Sequence, residues 1–309
     1  MDRQSCILVT GSSGVLGTGL LSALKNAGYF NILAPSRSEL DILDDKKCKE
    51  FFREKKPDYV FHLASIVYGL KGNDINQWQA LVENTQINQN FFMACAESRV
   101  RKIFFAGTVA GYPLDSPLPL NENNFWGGLP HFGEFGYSMS KKHAYSYLEI
   151  MRKKFGIPYC YGVFTNIFGK NDRFNTETGH VIPSLIKRAF DANSSGRSLE
   201  VWGAPDTTRD FIYNADAGDA ALFAMNNLEG LVNISTSEEI SMERVVKAIV
   251  SNFSGLKYYW NESMPIGISR RYVSNNKLVN AGWIRKHKFE DAIEETINWY
   301  RNNKLSIRQ

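Results

Sequence analysis

Four cysteines in 309 residues (Cys6, Cys48, Cys95 and Cys160) are too few and too scattered for a disulfide framework or a thiolate metal site. Cys6, Cys95 and Cys160 sit in apolar segments and are expected to be reduced core thiols. No apolar run approaches the ~18 residues that a membrane helix needs. The opening MDRQS has no signal-peptide character, so a cytoplasmic protein without membrane association is expected. The net charge of +4 is mild and spread along the chain, which argues against nucleic acid as a partner. No metal-ligand spacing, internal repeat or low-complexity segment is visible. The basic end, Lys304 to Gln309, reads as a solvated tail.

What is present begins at Ser5-Cys6-Ile7-Leu8-Val9-Thr10-Gly11-Ser12-Ser13-Gly14-Val15-Leu16-Gly17. A short apolar run, Cys6 to Thr10, predicts a buried strand, and the helix after it spans about Gly14 to Ala27. Gly11 permits the tight turn, Gly14 lets backbone approach a pyrophosphate, and Gly17 lets helix and strand pack closely. The helix N-terminus offers N–H groups and partial positive charge to phosphate. A glycine pattern alone is weak, but this one has the strand before it and the helix after it that a dinucleotide site requires. Ser12, Ser13, Val15 and Leu16 complete the expected cofactor turn.

The second strand is expected at Phe30 to Ala34. Where an NAD site places an acid near the end of this strand, the chain has Pro35-Ser36-Arg37-Ser38. A guanidinium with hydroxyls suits a 2′-phosphate, so Arg37 points to NADP(H). Asp44 is placed to meet an adenine edge and caps a helix from Lys46 to Lys56. Tyr59 to Leu63 is the third strand, with Leu63 and Ala64 small enough to lie against the cofactor and His62 a packed histidine. A helix from Asn76 to Ser98 is expected to turn Trp78, Leu81, Ile87, Phe91 and Ala94 inward and Asn84 and Asn88 outward.

Strand four, Val100 to Phe105, leads into Gly107-Thr108-Val109-Ala110. Ligands of open α/β sheets bind at the carboxyl ends of strands, so Thr108 and Val109 face substrate. A loop of nearly 25 residues, a length that usually marks function, ends at Gly136. Tyr137-Ser138-Met139-Ser140-Lys141 opens a helix running to about Phe155. Four apart, Tyr137 and Lys141 share a helix face. A cation near a phenol lowers its pKa toward working pH, which fits a proton donor at a carbonyl. Tyr-x-x-x-Lys alone is common on helices; its place behind a glycine-rich dinucleotide turn gives it weight.

Further on, strands are expected at Ile157–Phe164, Glu200–Gly203, Thr208–Ile212 and Leu231–Ile234. Helices are expected at Val181–Ala192, Ala215–Asn227, Met242–Phe253 (capped by Ser241) and Phe289–Asn302. Asn166 and Phe168 fall just past strand five, near the expected nicotinamide.

Taken together these residues resemble the short-chain dehydrogenase/reductase superfamily, extended type. The marks are Thr10-Gly11-x-x-Gly14-x-x-Gly17, Thr108 and Tyr137-x-x-x-Lys141. Within it the chain is similar to the GDP-L-fucose synthase family. That likeness rests on Arg37 through Asp44, Gly107 through Pro113, Thr165 through Gly169, Asp172-x-Phe174, His180 through Pro183, Val201-Trp202-Gly203 and Arg209-Asp210-Phe211. Gly267, Arg270-Arg271 and Ala281-Gly282-Trp283 extend it.

The resemblance implies a Rossmann-type doubly wound parallel α/β sheet of seven strands binding NADP(H), with a smaller mixed α/β C-terminal substrate lobe. It assigns residues 1–170 and 212–236 to the cofactor domain, and 171–211 and 237–309 to the nucleotide-sugar lobe. Thr108 stands at the catalytic serine, Tyr137 at the proton donor, and Lys141 at its partner, which also holds the nicotinamide ribose. His180 stands at the histidine that assists epimerisation and touches the cofactor. Val181, Arg188, Trp202, Arg209 and Arg271 lie where the family binds the nucleotide sugar, and a homodimer through the long mid-domain helices is implied.

One departure matters. Two residues after its serine the bifunctional family has a cysteine that removes a proton beside the keto group; here Ala110 stands instead. The reading is therefore ketoreduction of a nucleotide-linked, GDP-favoured 4-keto sugar without C3/C5 epimerisation. The alternatives are the bifunctional epimerase-reductase and a redox-neutral epimerase or dehydratase. A dehydratase of this superfamily usually has an Asp-Glu pair after the Thr, where this chain has Val109-Ala110. A non-catalytic NADP-sensing protein typically loses Tyr or Lys of the pair, and both are here.

Overall fold

The computed structural model describes residues 1–68, 75–176, 179–261, 263, 268–304 and 307; Gly267 and most of the Lys304–Gln309 tail lie outside the described residues. In chain order the first half comprises β1 (Ile7–Thr10), α1 (Val15–Asn26), β2 (Ile32–Leu33), α2 (Asp45–Lys55), β3 (Tyr59–His62), α3 (Gln77–Ser98), β4 (Lys102–Thr108), α4 (Phe135–Phe155) and β5 (Tyr159–Phe164). Then come β6 (Asn166–Phe168), α5 (Val181–Ser194), β7 (Leu199–Trp202), β8 (Thr208–Arg209), β9 (Phe211–Tyr213), α6 (Asn214–Asn227) and β10 (Gly230–Ile234). The chain closes with β11 (Ile240–Ser241), α7 (Met242–Val250), β12 (Tyr258–Asn261), β13 (Arg270–Arg271), α8 (Asn276–Asn280) and α9 (Phe289–Asn303).

The main sheet is parallel, six-stranded, in the order β10-β5-β4-β3-β1-β2. From β1 the chain winds outward to β2, then returns past β1 to β3 and on to β4 and β5. The reversal between β1 and β3 is the switch point at which open α/β sheets bind ligands. Both faces are covered, so the strands read as continuous apolar runs rather than alternating ones. One face packs Leu8, Val60, Phe91, Phe105, Leu148 and Tyr161 under α2, α3 and α4. The other packs Val9, Leu20, Phe61, Phe104, Ala217 and Met225 under α1 and α6. A separate core of Phe168, Ile186, Val201, Val245 and Ile293 builds the smaller lobe.

Several expectations are corrected. Among the described residues the sheet has six strands, not seven: β6 leaves it to pair with β9, because the Asp210 carbonyl accepts the Thr165 hydroxyl and the Asn166 N–H and side-chain amide. The Thr208–Ile212 strand breaks at Asp210 into β8 and β9. The second strand is confined to Ile32–Leu33, and Phe30 is exposed. Trp78 is 72% exposed rather than inward. The buried stripe of α3 instead runs through Ala80, Asn84, Ile87, Asn88, Phe91 and Cys95 at helical spacing. Asn84 is buried because it caps loop backbone, accepting the Ile66 N–H and donating to the Ile66 carbonyl. Asn88 donates to the Ser140 carbonyl and ties α3 to α4. All four thiols are free; Cys48, Cys95 and Cys160 are buried, and Cys6 partly so.

Candidate active site

The glycine turn sits at the switch point. Gly11 has φ +67°, and a Cβ there would stand 2.8 Å from the Ala64 nitrogen. The turn and the end of β3 therefore touch backbone to backbone. Thr10 Oγ1 secures this contact by accepting the N–H groups of Leu63 and Ala64, both at 3.2 Å, and it meets His62 Nδ1 at 2.8 Å. His62 is stacked on Phe91, and burial holds its pKa at about 3, so it is a neutral core residue, as expected. A Cβ on Gly17 would stand 2.3 Å from the Gly11 carbonyl oxygen. Gly17 thus makes room for the turn itself. Gly14 caps α1 without a side-chain bond, leaving first-turn N–H groups to an anion. Val15 lies at the first turn and Leu16 is buried behind it.

At the end of β2, Arg37 is 74% exposed, with only a loose contact of 3.9 Å to Asp41. Asp44 caps α2 by accepting the Lys47 N–H. Ser65 Oγ is buried just past the end of β3, beside the Tyr137 phenol on which it acts. A small-residue turn, an uncapped helix start and an exposed guanidinium, all along the carboxyl edge of one sheet, fit an extended phosphate-rich dinucleotide.

Thr108 ends β4, and its Oγ1 accepts the Ala110 N–H at 3.2 Å, which leaves the hydroxyl proton for another acceptor. The single turn Val109–Gly111 packs against α4. On α4 the Tyr137 phenol is half-buried and Lys141 is 2% exposed. Lys141 Nζ lies 5.7 Å from the Tyr137 ring centre and 4.8 Å from that of Phe105. Among the described residues no carboxylate pairs with Lys141, and burial lowers its pKa to about 7.

The expectation that Lys141 draws the Tyr137 pKa down is corrected. Burial raises it, with the Glu134 carboxylate adding and the Ser65 hydroxyl opposing. With a pKa of about 7, Lys141 is already neutral where the phenol would titrate, so desolvation sets the direction. The result is a phenol that keeps its proton at neutral pH.

His180 caps α5 and is 50% exposed; its Nδ1 meets Asp172 Oδ1 at 3.3 Å, and that carboxylate raises its pKa. Val181 is exposed beside it. Asn166 is held by the Asp210 carbonyl, while the Phe168 ring is spent in the lobe core against Tyr213 and Phe289. Arg188 stacks on Trp202 at 4.3 Å and donates to the Glu200 carbonyl at 2.5 Å. Arg209 and Arg271 face one another in register on β8 and β13. Arg209 donates to the Thr208 carbonyl; burial first, and then Arg271, lower its pKa to about 10. Arg271 binds Glu134 at 2.9 Å. Two guanidiniums with one carboxylate leave a net positive site suited to phosphate.

Glu134 and Ser65 escaped the sequence reading. Neither belongs to a periodic or spaced pattern, although Glu134 precedes Tyr137 by one helical turn.

A glycine turn at the switch point and a Tyr–Lys pair on the helix after β4 define a class of dinucleotide-dependent α/β enzymes. The chain belongs to the NAD dependent epimerase/dehydratase family, which matches residues 7–235. It is 29% identical over 305 residues to GDP-L-colitose synthase of Yersinia pseudotuberculosis, covering 96% of this chain and 98% of that protein. It is also 29% identical over 307 residues to GDP-L-fucose synthase 1 of Arabidopsis thaliana, covering 98% and 95%. Among solved structures it superposes on a GDP-L-fucose synthetase from Naegleria fowleri bound to NADP, with TM-score 0.92, 27% identity and coverage of 100% and 96%. A GDP-mannoheptose C4 reductase from Campylobacter jejuni with NADP bound gives TM-score 0.87 at 25% identity, covering 97% and 99%.

Proposed function

We propose that the protein is an NADP(H)-dependent oxidoreductase that reduces the C4 keto group of a GDP-linked 4-keto sugar without epimerising C3 or C5. The observation that carries this reading is the Tyr137 phenol set beside the buried Lys141, with a methyl group at Ala110 where a proton-abstracting thiol is needed. The GDP-sugar synthases and the C4 reductase among its relatives support the substrate class.

The residues that would hold the cofactor are the turn Gly11 to Gly17, the Leu63–Ala64 backbone, Arg37 at the 2′-phosphate and Lys141. NADPH, when bound, supplies the hydride for C4. Tyr137 gives its proton to the developing alkoxide. Thr108 donates its free hydroxyl proton to the same oxygen, steadied by the Ala110 N–H behind it. Lys141 stabilises the phenolate left on Tyr137. Arg209 and Arg271 grip the diphosphate, and Arg188 with Trp202 flank the nucleotide. For epimerisation none of the four cysteines offers a ready thiolate base: burial raises the Cys6 thiol, pushes those of Cys48 and Cys160 up to about 12, and holds Cys95 well above its ordinary value.

The test is NADPH oxidation with GDP-4-keto sugars, wild type against Tyr137→Phe. Loss of about 10²–10⁴ in kcat is expected from removing a general acid. Undiminished turnover by Tyr137→Phe, or rapid entry of solvent deuterium at C3 or C5, would overturn the reading.

A further inference from the structure

Glu134 lies between the two halves of the site. It precedes α4 and stands one turn before Tyr137, where its charge adds to the factors holding the phenol protonated. Its carboxylate also crosses to the lobe and binds Arg271 at 2.9 Å, with both side chains largely buried, at 15% and 17% exposure. Arg271 is in register with Arg209, whose charge the same carboxylate also feels. The loop that carries Glu134 is fixed from α3: Gln77 donates to the Phe132 carbonyl and accepts the Gly136 N–H. Glu134 is therefore held in place and does not merely drift onto the arginines.

We propose that Glu134 is a positioning residue whose carboxylate competes with the substrate's diphosphate for Arg271 and Arg209, so that diphosphate binding draws the arginines away from the helix that carries Tyr137. This deepens the nucleotide-sugar reading and rests on it. Two guanidiniums carry two positive charges and Glu134 cancels one. A diphosphate brings about two negative charges, so the pair is balanced by it only when the carboxylate gives way. A buried ion pair that loses one member leaves the other charge uncompensated. An incoming anion then gains what the carboxylate had supplied. The exchange also frees the Glu134 charge to act on Tyr137. The groups facing Tyr137 are Glu134 ahead of its own helix, Lys141 one turn on, and the Tyr161 phenol from β5. Neutral His62 stands behind Lys141.

The experiment is titration calorimetry of the full chain with GDP, together with the pH profile of kcat, for wild type and Glu134→Gln. Gln keeps an acceptor for Arg271 and removes the charge. GDP is expected to bind Glu134→Gln several-fold more tightly, and the alkaline limb of kcat to move to lower pH. Equal or weaker GDP binding by Glu134→Gln overturns the inference while leaving the nucleotide-sugar reading intact. Failure of the wild type to bind GDP overturns both. If Glu134→Gln does not fold, Glu134→Asp withdraws the carboxylate by one methylene and is expected to tighten GDP in the same direction by less; unchanged affinity there overturns the inference equally.

Discussion

Gly19 and Gly218 face each other where α1 crosses α6: a Cβ built on Gly218 would stand 2.2 Å from the Gly19 carbonyl carbon. The approach continues at Asn214, whose carbonyl oxygen would lie 1.9 Å from a Cβ on Gly19 and whose side-chain amide donates to the Val15 carbonyl. The helix that presents the glycine turn is thus set against the helix that leads out of the lobe strands.

Gly218→Ala must push these helices apart. Overpacking of a tight core costs about 1–3 kcal/mol, and this backbone-to-backbone clash belongs at the upper end. A fall in Tm of about 3–5 °C is expected, with a raised KM for NADPH because the start of α1 moves. Thermal melts and NADPH kinetics check both; a melting temperature equal to wild type would show the crossing to be slack.

Lys141 sets stability against catalysis. Its folded-state pKa, about 7, lies below the ordinary 10.5, so between those values the unfolded chain binds more protons than the folded one. Stability therefore rises with pH through that window, and below about pH 7 the cost of the buried cation is fully present. Lys141→Met should melt higher than wild type at pH 6, by a margin that shrinks toward pH 10, while losing most of its turnover. Parallel melting curves across pH test the sign.

Arg37 is exposed and only loosely paired, so it adds little to the fold. Arg37→Ala is expected to leave Tm unchanged and to raise KM for NADPH about tenfold or more, the loss of a charge-assisted bond to phosphate, with KM for NADH unaffected. Equal effects on the two cofactors would remove Arg37 from the 2′-phosphate.

Ala110 occupies a buried turn next to Thr108. Ala110→Cys adds a thiol at this turn, while His180 is already paired with Asp172. Slow wash-in of solvent deuterium at C3 or C5, absent in wild type, is the expected gain, read by NMR of the GDP-sugar pool.

Much of this was legible in the chain because it is written in local spacing. The Gly11-Gly14-Gly17 turn, the buried run of β1 and the Tyr137–Lys141 pair each follow from a few neighbouring residues. What escaped depends on distant partners. Gly19 and Gly218 look like poor helix residues until two helices are seen to cross at them. Asn84 and Asn88 look solvent-facing until loop and helix carbonyls, those of Ile66 and Ser140, are seen to need donors. Trp78 misled because an aromatic in a helix is usually core, yet the stripe that turns inward passes it by. Spacing reports the cation beside Tyr137 but not how much water the fold removes, so it gives the wrong direction for the Tyr137 shift.

Asp210 has one consequence for how the molecule comes apart. Its carboxylate accepts from Thr236 and Ser237, just beyond β10, while its carbonyl receives Thr165 and Asn166, just beyond β5. Both places where the chain departs from the large sheet are knotted at a single side chain and its own peptide. Heating should therefore melt the sheet and the lobe as one calorimetric transition, and neither piece cut free should hold its shape in solution.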